Sequence, residues 1–121
     1  MMRKAIVTGA TGFIGRFLVR ELVNQGVEVI AIVRSGSHNL ESIEDLPVRI
    51  VECDLKNLRF LAKTVSDRDI DTVFHIAWQG VSDMDARDQN IQIQNLKSTL
   101  ELIDAMHEMG IATFVGCGSM H

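Results

Sequence analysis

Three glycines spaced three residues apart, Gly9, Gly12 and Gly15, follow a short apolar run near the start of the chain. The run predicts a buried strand that leads to Gly9, and the missing side chains at Gly9 and Gly12 allow a sharp turn and a close approach to an anion. Gly15 allows the following helix to pack closely against that strand. Because the first N–H groups of a helix and the positive end of its dipole face this turn, the segment predicts a pyrophosphate-binding loop.

Four more apolar runs follow, separated by segments long enough to form helices. The predicted strands are Lys4 to Val7, Val27 to Val33, Val48 to Cys53, Thr72 to Ala77 and Ala112 to Cys117. Most of them lack the alternation of a sheet with one wet face, which favours burial on both faces. The sequence therefore predicts an α/β fold, a doubly wound parallel sheet of about five strands with helices on both faces, in one domain over residues 1–121.

The connecting segments carry apolar residues at helical spacing. The first predicted helix, Phe13 to Asn24, is expected to bury Ile14, Leu18 and Leu22. The longest, from about Asp85 to Met109, is expected to bury Leu96, Leu100 and Ile103. A further helical segment after Asp54 carries Leu58, Leu61, Ala62 and Val65. The polar stretch from Ser35 to Leu46 predicts a loop with at most a short helix.

Charge and hydropathy exclude several classes of partner. The chain has 12 Lys and Arg against 16 Asp and Glu, so it lacks the clustered cations that nucleic acids require, and no nucleic acid partner is expected. Its longest apolar stretches, such as Val29 to Val33, are too short to cross a bilayer, and the glycine motif leaves no room for a signal peptide before it. A cytoplasmic protein with no membrane partner is the expectation. Cys53 and Cys117 are expected to be small buried residues, with no metal site.

The end of the second strand bears on the choice of cofactor. Units that bind the non-phosphorylated dinucleotide usually place an acid there, where it accepts hydrogen bonds from the ribose hydroxyls. This chain has Arg34 followed by Ser35 instead, and a guanidinium suits a 2′-phosphate, with the serine as an added donor. The sequence favours NADP, with NAD as the alternative. The competing interpretation is an exposed loop arginine.

Three further strand ends reach the same edge of the sheet, where ligands of such folds collect. Asp54 and Leu55 follow the third strand, and the carboxylate there can accept from an adenine amino group or cap the next helix. Beyond His75, the residues Ile76, Ala77 and Trp78 are expected to form a wall beside the cofactor, and Trp78 also begins a loop that either lines the substrate site or covers core. A histidine in an apolar run is more often a hydrogen-bonded core residue than a proton donor.

Two polar residues later in the chain are candidates for the same site. Asn95 interrupts an apolar helical segment, where a buried amide requires partners, unless it lies on the surface. Ser119 follows the fifth strand, where its hydroxyl either faces the cleft, in reach of a reacting carbonyl or alcohol, or only ends the strand.

Together these residues resemble the extended short-chain dehydrogenase/reductase family, in its NAD(P)-dependent epimerase/dehydratase branch acting on nucleotide sugars. The glycine motif of that family is similar to Thr8-Gly9-Ala10-Thr11-Gly12-Phe13-Ile14-Gly15, and its adenine-side motif to Asp54-Leu55. The strand that walls the cofactor resembles residues 71–77, and the helix asparagine motif resembles Asn95-Leu96-Lys97-Ser98-Thr99, with Ser98 where glycine is usual. The resemblance implies a Rossmann fold, cofactor contacts from these motifs, and Ser119 as the catalytic serine.

The same family has a Tyr-x-x-x-Lys pair after the serine and a C-terminal lobe that binds the sugar nucleotide. This sequence contains no tyrosine, so the resemblance implies the cofactor-binding part of a longer enzyme or a shortened relative, without the substrate lobe. Hydride exchange between the nicotinamide and a sugar carbon is the implied chemistry of the intact enzyme.

Two other interpretations fit the sequence. One is an atypical NADPH-dependent reductase of the same superfamily, which often lacks the tyrosine. The other is a non-catalytic sensor of NADP(H). An open strand edge and apolar face where further sheet would follow the fifth strand also predict self-association.

Overall fold

A computed structural model describes residues 2–36, 39–77 and 89–116. These residues form a five-stranded, all-parallel sheet with the strand order β3-β2-β1-β4-β5. The strands are β1 Lys4–Thr8, β2 Glu28–Val33, β3 Arg49–Glu52, β4 Thr72–His75 and β5 Thr113–Gly116. The helices are α1 Phe13–Asn24, α2 Leu61–Thr64 and α3 Gln89–Met109, with 3-10 turns at Leu40–Ser42 and Leu55–Phe60. The predicted doubly wound sheet is confirmed.

The two central strands are buried on both faces, as their unbroken apolar sequence predicts. Successive side chains point to opposite faces, so Ile6 packs beneath α3, whereas Ala5 and Val7 pack beneath α1. The outer strands β3 and β5 are largely exposed. The core therefore consists of two apolar layers, one on each side of β1 and β2.

The buried face of α1 differs from the predicted stripe. Gly15, Val19 and Leu22 are buried, and Leu18 is partly buried, whereas Ile14 is 55% exposed. The reason is the contact between Gly15 and the main chain of Gly9, which sets the rotation of the helix about its axis. Ile14 lies about 100° around the helix from Gly15 and so points away from the sheet.

The long helix α3 shows a second departure from the sequence prediction. Its buried residues are Asn95, Ser98, Leu102, Ala105, Met106 and Met109. Leu96 and Leu100 are more than half exposed, and Ile103 is only partly buried, so the predicted core stripe was wrong. Both faces have helical spacing, and α3 packs on the segment 55–64 through the face that carries Asn95 and Ser98 together with four apolar residues. The predicted start near Asp85 lies outside the described residues.

The segments that follow β2 and β3 agree more closely with the structure predicted from the sequence. The segment after Asp54 is a 3-10 turn followed by the short helix α2, and its four predicted core residues are all buried. Within the described part of 35–46, the only helical residues are the 3-10 turn Leu40–Ser42. No helix among the described residues is long and apolar enough to cross a membrane.

The amino-terminal edge of the sheet is held by charged side chains. The ammonium of Lys4 lies 2.9 Å from a carboxylate oxygen of Asp67 and 2.8 Å from one of Asp69. Arg49 on β3 contacts the second oxygen of Asp67 at 2.8 Å. The carboxylate of Asp71 accepts the backbone N–H groups of Arg3 and Lys4. These contacts tie β1 and β3 to the 67–71 loop, at the opposite edge from the predicted phosphate loop.

Candidate functional site

A cleft of about 490 Å³ opens at the carboxyl ends of the central strands. This is the edge at which parallel α/β sheets bind ligands, and the volume lies within the range of small-molecule sites. The lining residues come from the ends of β1, β2, β3 and β4 and from the segments that follow them: Thr8, Gly9, Thr11, Gly12, Ile32, Val33, Arg34, Asn39, Cys53, Asp54, Leu55, Lys56, Leu58, Ile76 and Ala77.

The glycine loop forms one side of this cleft. Gly9 has a φ of +66°, a conformation that favours glycine, and the N–H of Gly12 donates to its carbonyl oxygen at 3.1 Å. A Cβ on Gly9 would lie 2.7 Å from the nitrogen of Ala77, so the turn and the chain after β4 touch through their backbones. A Cβ on Gly15 would collide with the carbonyl oxygen of Gly9. Both glycines are therefore required by close backbone contacts.

The start of α1 faces the same cleft, because its N-cap residue Gly12 is one of the lining residues. Gly12 is the N-cap residue, with extended backbone angles and no side chain, and the first turn contains no acid. The first N–H groups of a helix have no carbonyl one turn earlier to bind, so they are available to an anion. The exposed side chains of Phe13 and Ile14 are not among the lining residues, and neither is buried Gly15.

Ile76 and Ala77 form the wall of the cleft directly beside the glycine loop. Both of their N–H groups donate to the hydroxyl oxygen of Thr8, at 3.1 and 3.2 Å. The same oxygen lies 2.7 Å from Nδ1 of His75, which is buried and has its pKa lowered to about 4 by burial. His75 is thus a hydrogen-bonded core residue, as its apolar neighbours in sequence predict. Trp78, the third predicted wall residue, lies outside the described residues.

Arg34 and Asp54 lie on the far side of the cleft, at the ends of β2 and β3. Arg34 is exposed and lines the cleft, whereas Ser35 does not. The carboxylate of Asp54 accepts the backbone N–H of Ser35 at 2.8 Å and makes no hydrogen bond to the start of the following 3-10 turn. Asp54 does occupy the N-cap position of that turn, but its side chain provides no capping hydrogen bond. Asp54 instead holds the loop that carries Arg34, and Leu55 lies beside it in the lining.

Asn95 lies apart from the cleft lining. It is only 2% exposed within α3, so the alternative of a surface asparagine is wrong. Its side-chain amide donates to Gln92 at 3.4 Å, and its backbone carbonyl oxygen accepts from the hydroxyl of Thr99. Ser119, the predicted catalytic residue, and Cys117 lie outside the described residues. Cys53 is a half-buried free thiol whose pKa is raised by burial.

Comparison with known proteins decides the family. Residues 5–121 match the NAD-dependent epimerase/dehydratase family. The chain belongs to this family. The family predicted from the sequence motifs is confirmed. Membership of this family indicates that the fold binds a nicotinamide dinucleotide.

Three proteins that are similar to this chain are longer than it is. This chain is 32% identical over 118 residues to dTDP-6-deoxy-L-talose 4-dehydrogenase (NAD(+)) of Aggregatibacter actinomycetemcomitans. The aligned region covers 96% of this chain and 41% of that enzyme. A crystal structure of UDP-galactose 4-epimerase matches with a TM-score of 0.78 at 25% identity, over 93% of this chain and 37% of that one. A Veillonella parvula short-chain dehydrogenase/reductase in complex with NADP has a TM-score of 0.67 at 18% identity, over 96% and 47% of the two chains. The chain spans less than half of each protein.

The cleft fits the cofactor of the epimerase/dehydratase family. A methyl group at Gly9 or Gly15 would collide with backbone atoms of the turn. With glycine at both positions, the turn presents main chain without side chains at the start of α1, where a pyrophosphate can bind. Asp54, Leu55, Arg34, Ile76 and Ala77, which the sequence predicts as cofactor contacts, all line this cleft.

Seven lining residues were not predicted as site residues from the sequence: Thr8, Ile32, Val33, Asn39, Cys53, Lys56 and Leu58. Lys56 had a usable signal, because it directly follows Asp54-Leu55 at the carboxyl end of a strand. Asn39 had none, because it is brought to the cleft by a loop whose path depends on tertiary contacts.

Proposed function

We propose that this chain is the dinucleotide-binding part of a nucleotide-sugar epimerase, dehydratase or ketoreductase. The observation that carries the proposal is the glycine turn at the start of α1, which opens directly on a cleft of about 490 Å³ at the carboxyl edge of the sheet. Membership of the epimerase/dehydratase family supports it, and so do the names of the related 4-dehydrogenase and 4-epimerase. The cofactor supplies hydride transfer when bound, and the chain holds and orients it.

NADP is the proposed cofactor, with NAD as the alternative. Two cations, Arg34 and Lys56, line the cleft, and Asp54, the one acid among the lining residues that the structure describes, has one carboxylate oxygen occupied by the N–H of Ser35. A 2′-phosphate is therefore favoured over a free ribose diol by charge. The name of the related talose dehydrogenase favours NAD instead, so the test compares the two cofactors directly.

The experiment measures dissociation constants of NADPH and NADH by fluorescence titration. Arg34→Ala is expected to weaken NADPH binding by about tenfold to a hundredfold, the value of a hydrogen bond to a charged group, and NADH binding by less than about threefold. Arg59→Ala is the matched control, because Arg59 stacks on Phe60 and is not a lining residue. Equal losses for both cofactors would reject Arg34 as the 2′-phosphate partner, tighter binding of NADH than of NADPH by the wild type would assign NAD, and no binding of either would reject the proposed function.

Nucleotide sugars are the proposed substrates of the complete catalytic unit, with Ser119 as its serine. The sequence has no tyrosine to complete the family's acid/base pair, so we expect this chain to bind cofactor without turning over a UDP-, dTDP- or GDP-hexose. The missing tyrosine also keeps an atypical reductase and an NADP(H) sensor as second candidates. Turnover of a hexose by a longer product of the reading frame would favour the first proposal over the sensor.

We also propose that the chain self-associates with a second copy. Ile93, Leu96 and Leu100 form an apolar face on α3 and are exposed by 63%, 57% and 54%. The outer strand β5 is mostly exposed as well. Sedimentation equilibrium over a range of concentrations tests this, and a constant monomer mass would contradict it. A cytoplasmic location and the absence of nucleic acid partners stay predictions.

A further inference from the structure

The hydroxyl of Thr8 connects three groups at the edge of the cleft. It lies at the end of β1, is 1% exposed, and has hydrogen-bond contacts to the N–H of Ile76, the N–H of Ala77 and Nδ1 of His75. A hydroxyl has one proton to donate and two lone pairs that accept. Because two N–H groups occupy both lone pairs, the hydroxyl proton must be donated to His75.

This count also determines the protonation of the histidine. Nδ1 accepts the hydrogen bond from the Thr8 hydroxyl, with 2.7 Å between the oxygen and the nitrogen, so the ring proton of neutral His75 lies on Nε2. If Nδ1 carried the proton, the Thr8 oxygen would face a third hydrogen-bond donor, and the proton of the Thr8 hydroxyl would have no acceptor. Burial lowers the pKa of His75 to about 4, which keeps the ring neutral at physiological pH.

The two N–H groups need this hydroxyl because the strand ladder ends beside them. The last β1–β4 pair is Thr8 with His75, after which the chain turns at Gly9. The wall chain is nevertheless held against that turn, since a Cβ on Gly9 would lie 2.7 Å from the Ala77 nitrogen. The Thr8 side chain replaces the missing strand partner.

We propose that His75 is a positioning residue for the cofactor cleft. By accepting the hydrogen bond of the Thr8 hydroxyl, it directs both lone pairs of that hydroxyl to Ile76 and Ala77 and fixes the wall against the glycine turn. Thr8, Gly9, Ile76 and Ala77 all line the cleft, whereas His75 does not, so it acts through Thr8. The effect on binding rests on the proposed function, while the hydrogen-bond assignment is independent of it.

The first test uses the wild-type chain and needs no variant. Long-range ¹H–¹⁵N correlation spectra of the histidine rings are expected to show His75 with Nδ1 unprotonated and Nε2 protonated at neutral pH. A ring protonated at Nδ1 would overturn the proposal, whatever the cofactor affinity.

The second test compares His75→Asn with His75→Leu. The amide oxygen of asparagine takes the place of Nδ1 as an acceptor, whereas leucine has none. We expect His75→Leu to speed amide exchange of Ile76 and Ala77 and to weaken NADPH binding, each by about tenfold, the value of about one hydrogen bond. His75→Asn is expected to stay within about threefold of the wild type. Wild-type exchange and affinity in His75→Leu would overturn the proposal.

A control separates positioning from general destabilisation. Leu102→Ala removes a fully buried side chain that does not line the cleft, so it lowers stability but leaves NADPH affinity of the folded chain unchanged. If His75→Leu does not fold, Thr8→Ser and Thr8→Val make the same comparison, because serine retains the hydroxyl and valine removes it. If the wild type binds neither NADPH nor NADH, the proposed function fails, and the spectra and exchange rates still decide the hydrogen-bond assignment.

Discussion

Gly9 and Gly15 are needed for different reasons, although both belong to one motif. Gly9 adopts a left-handed backbone conformation and lies against Ala77, so it shapes the turn and the cleft. Gly15 allows the helix to cross the carbonyl oxygen of Gly9 without a collision. Gly12 is less constrained, with a φ of −71° and an added Cβ 3.3 Å from that oxygen.

These differences predict distinct effects on folding. Gly15→Ala should lower the free energy of unfolding by about 3 kcal/mol. Its methyl group would collide with the carbonyl oxygen of Gly9, and relieving that collision requires the backbone to move. Gly12→Ala should cost less than about 1 kcal/mol, because its conformation suits alanine and only a small displacement is needed. Urea unfolding of the two variants measures both values, and equal losses would contradict this account of the loop.

At the scale of elements, α3 shows that apolar spacing does not identify the buried face. Its core face includes Asn95 and Ser98, whereas Ile93, Leu96 and Leu100 are exposed. The two faces carry similar helical periodicity, so periodicity alone cannot distinguish them. The packing of α3 against the 55–64 segment decides which one is buried.

Substitutions on the two faces should separate stability from association. Leu102→Ala should lower the free energy of unfolding by about 2–5 kcal/mol, because it leaves a cavity in a fully buried site. The double variant Leu96→Gln with Leu100→Gln should change it by less than about 1 kcal/mol and reduce self-association. Urea unfolding and sedimentation equilibrium measure the two effects. Unchanged association in the double variant would exclude this face as the interface.

At the scale of the whole molecule, the two edges of the sheet have different chemistry. The amino edge carries the contacts of Lys4 and Arg49 with Asp67. The carboxyl edge carries the cleft, the buried His75 and the bare start of α1. Protonation of His75 at one edge and of Asp67 at the other lowers the free energy of unfolding, in two separate pH ranges.

Stability should fall in two steps as the solution is acidified. Burial lowers the pKa of His75 from 6.5 to about 4, so between these values the unfolded chain binds a proton that the folded chain does not. That step removes up to about 3 kcal/mol. Hydrogen bonds from Arg49 and Lys4 lower the pKa of Asp67 from 3.8 to about 2, and its contribution is lost over that lower range.

Urea unfolding at a series of pH values measures these steps. His75→Asn should flatten the upper step because it removes the titrating ring, and Asp67→Asn should flatten the lower one. Stability of the wild type that is constant between pH 6.5 and 4 would contradict the burial of a neutral His75.

Local sequence predicted the strands, the glycine turn and the family, because each depends on a short pattern. A buried parallel strand needs an unbroken apolar run, and a turn against a neighbouring backbone needs glycine at fixed positions. Arg34, Asp54, Ile76 and Ala77 were placed at the cleft for the same reason, since the carboxyl ends of parallel strands share one edge.

Only the tertiary structure decided what depends on distant parts of the chain. It determined the buried face of α3, the role of Asp54 as partner of the Ser35 N–H, and the contact between Thr8 and His75 across 67 positions in sequence. A side chain at the end of one strand meets whichever group the sheet order brings beside it. That order depends on the packing of the whole core, which no local pattern specifies.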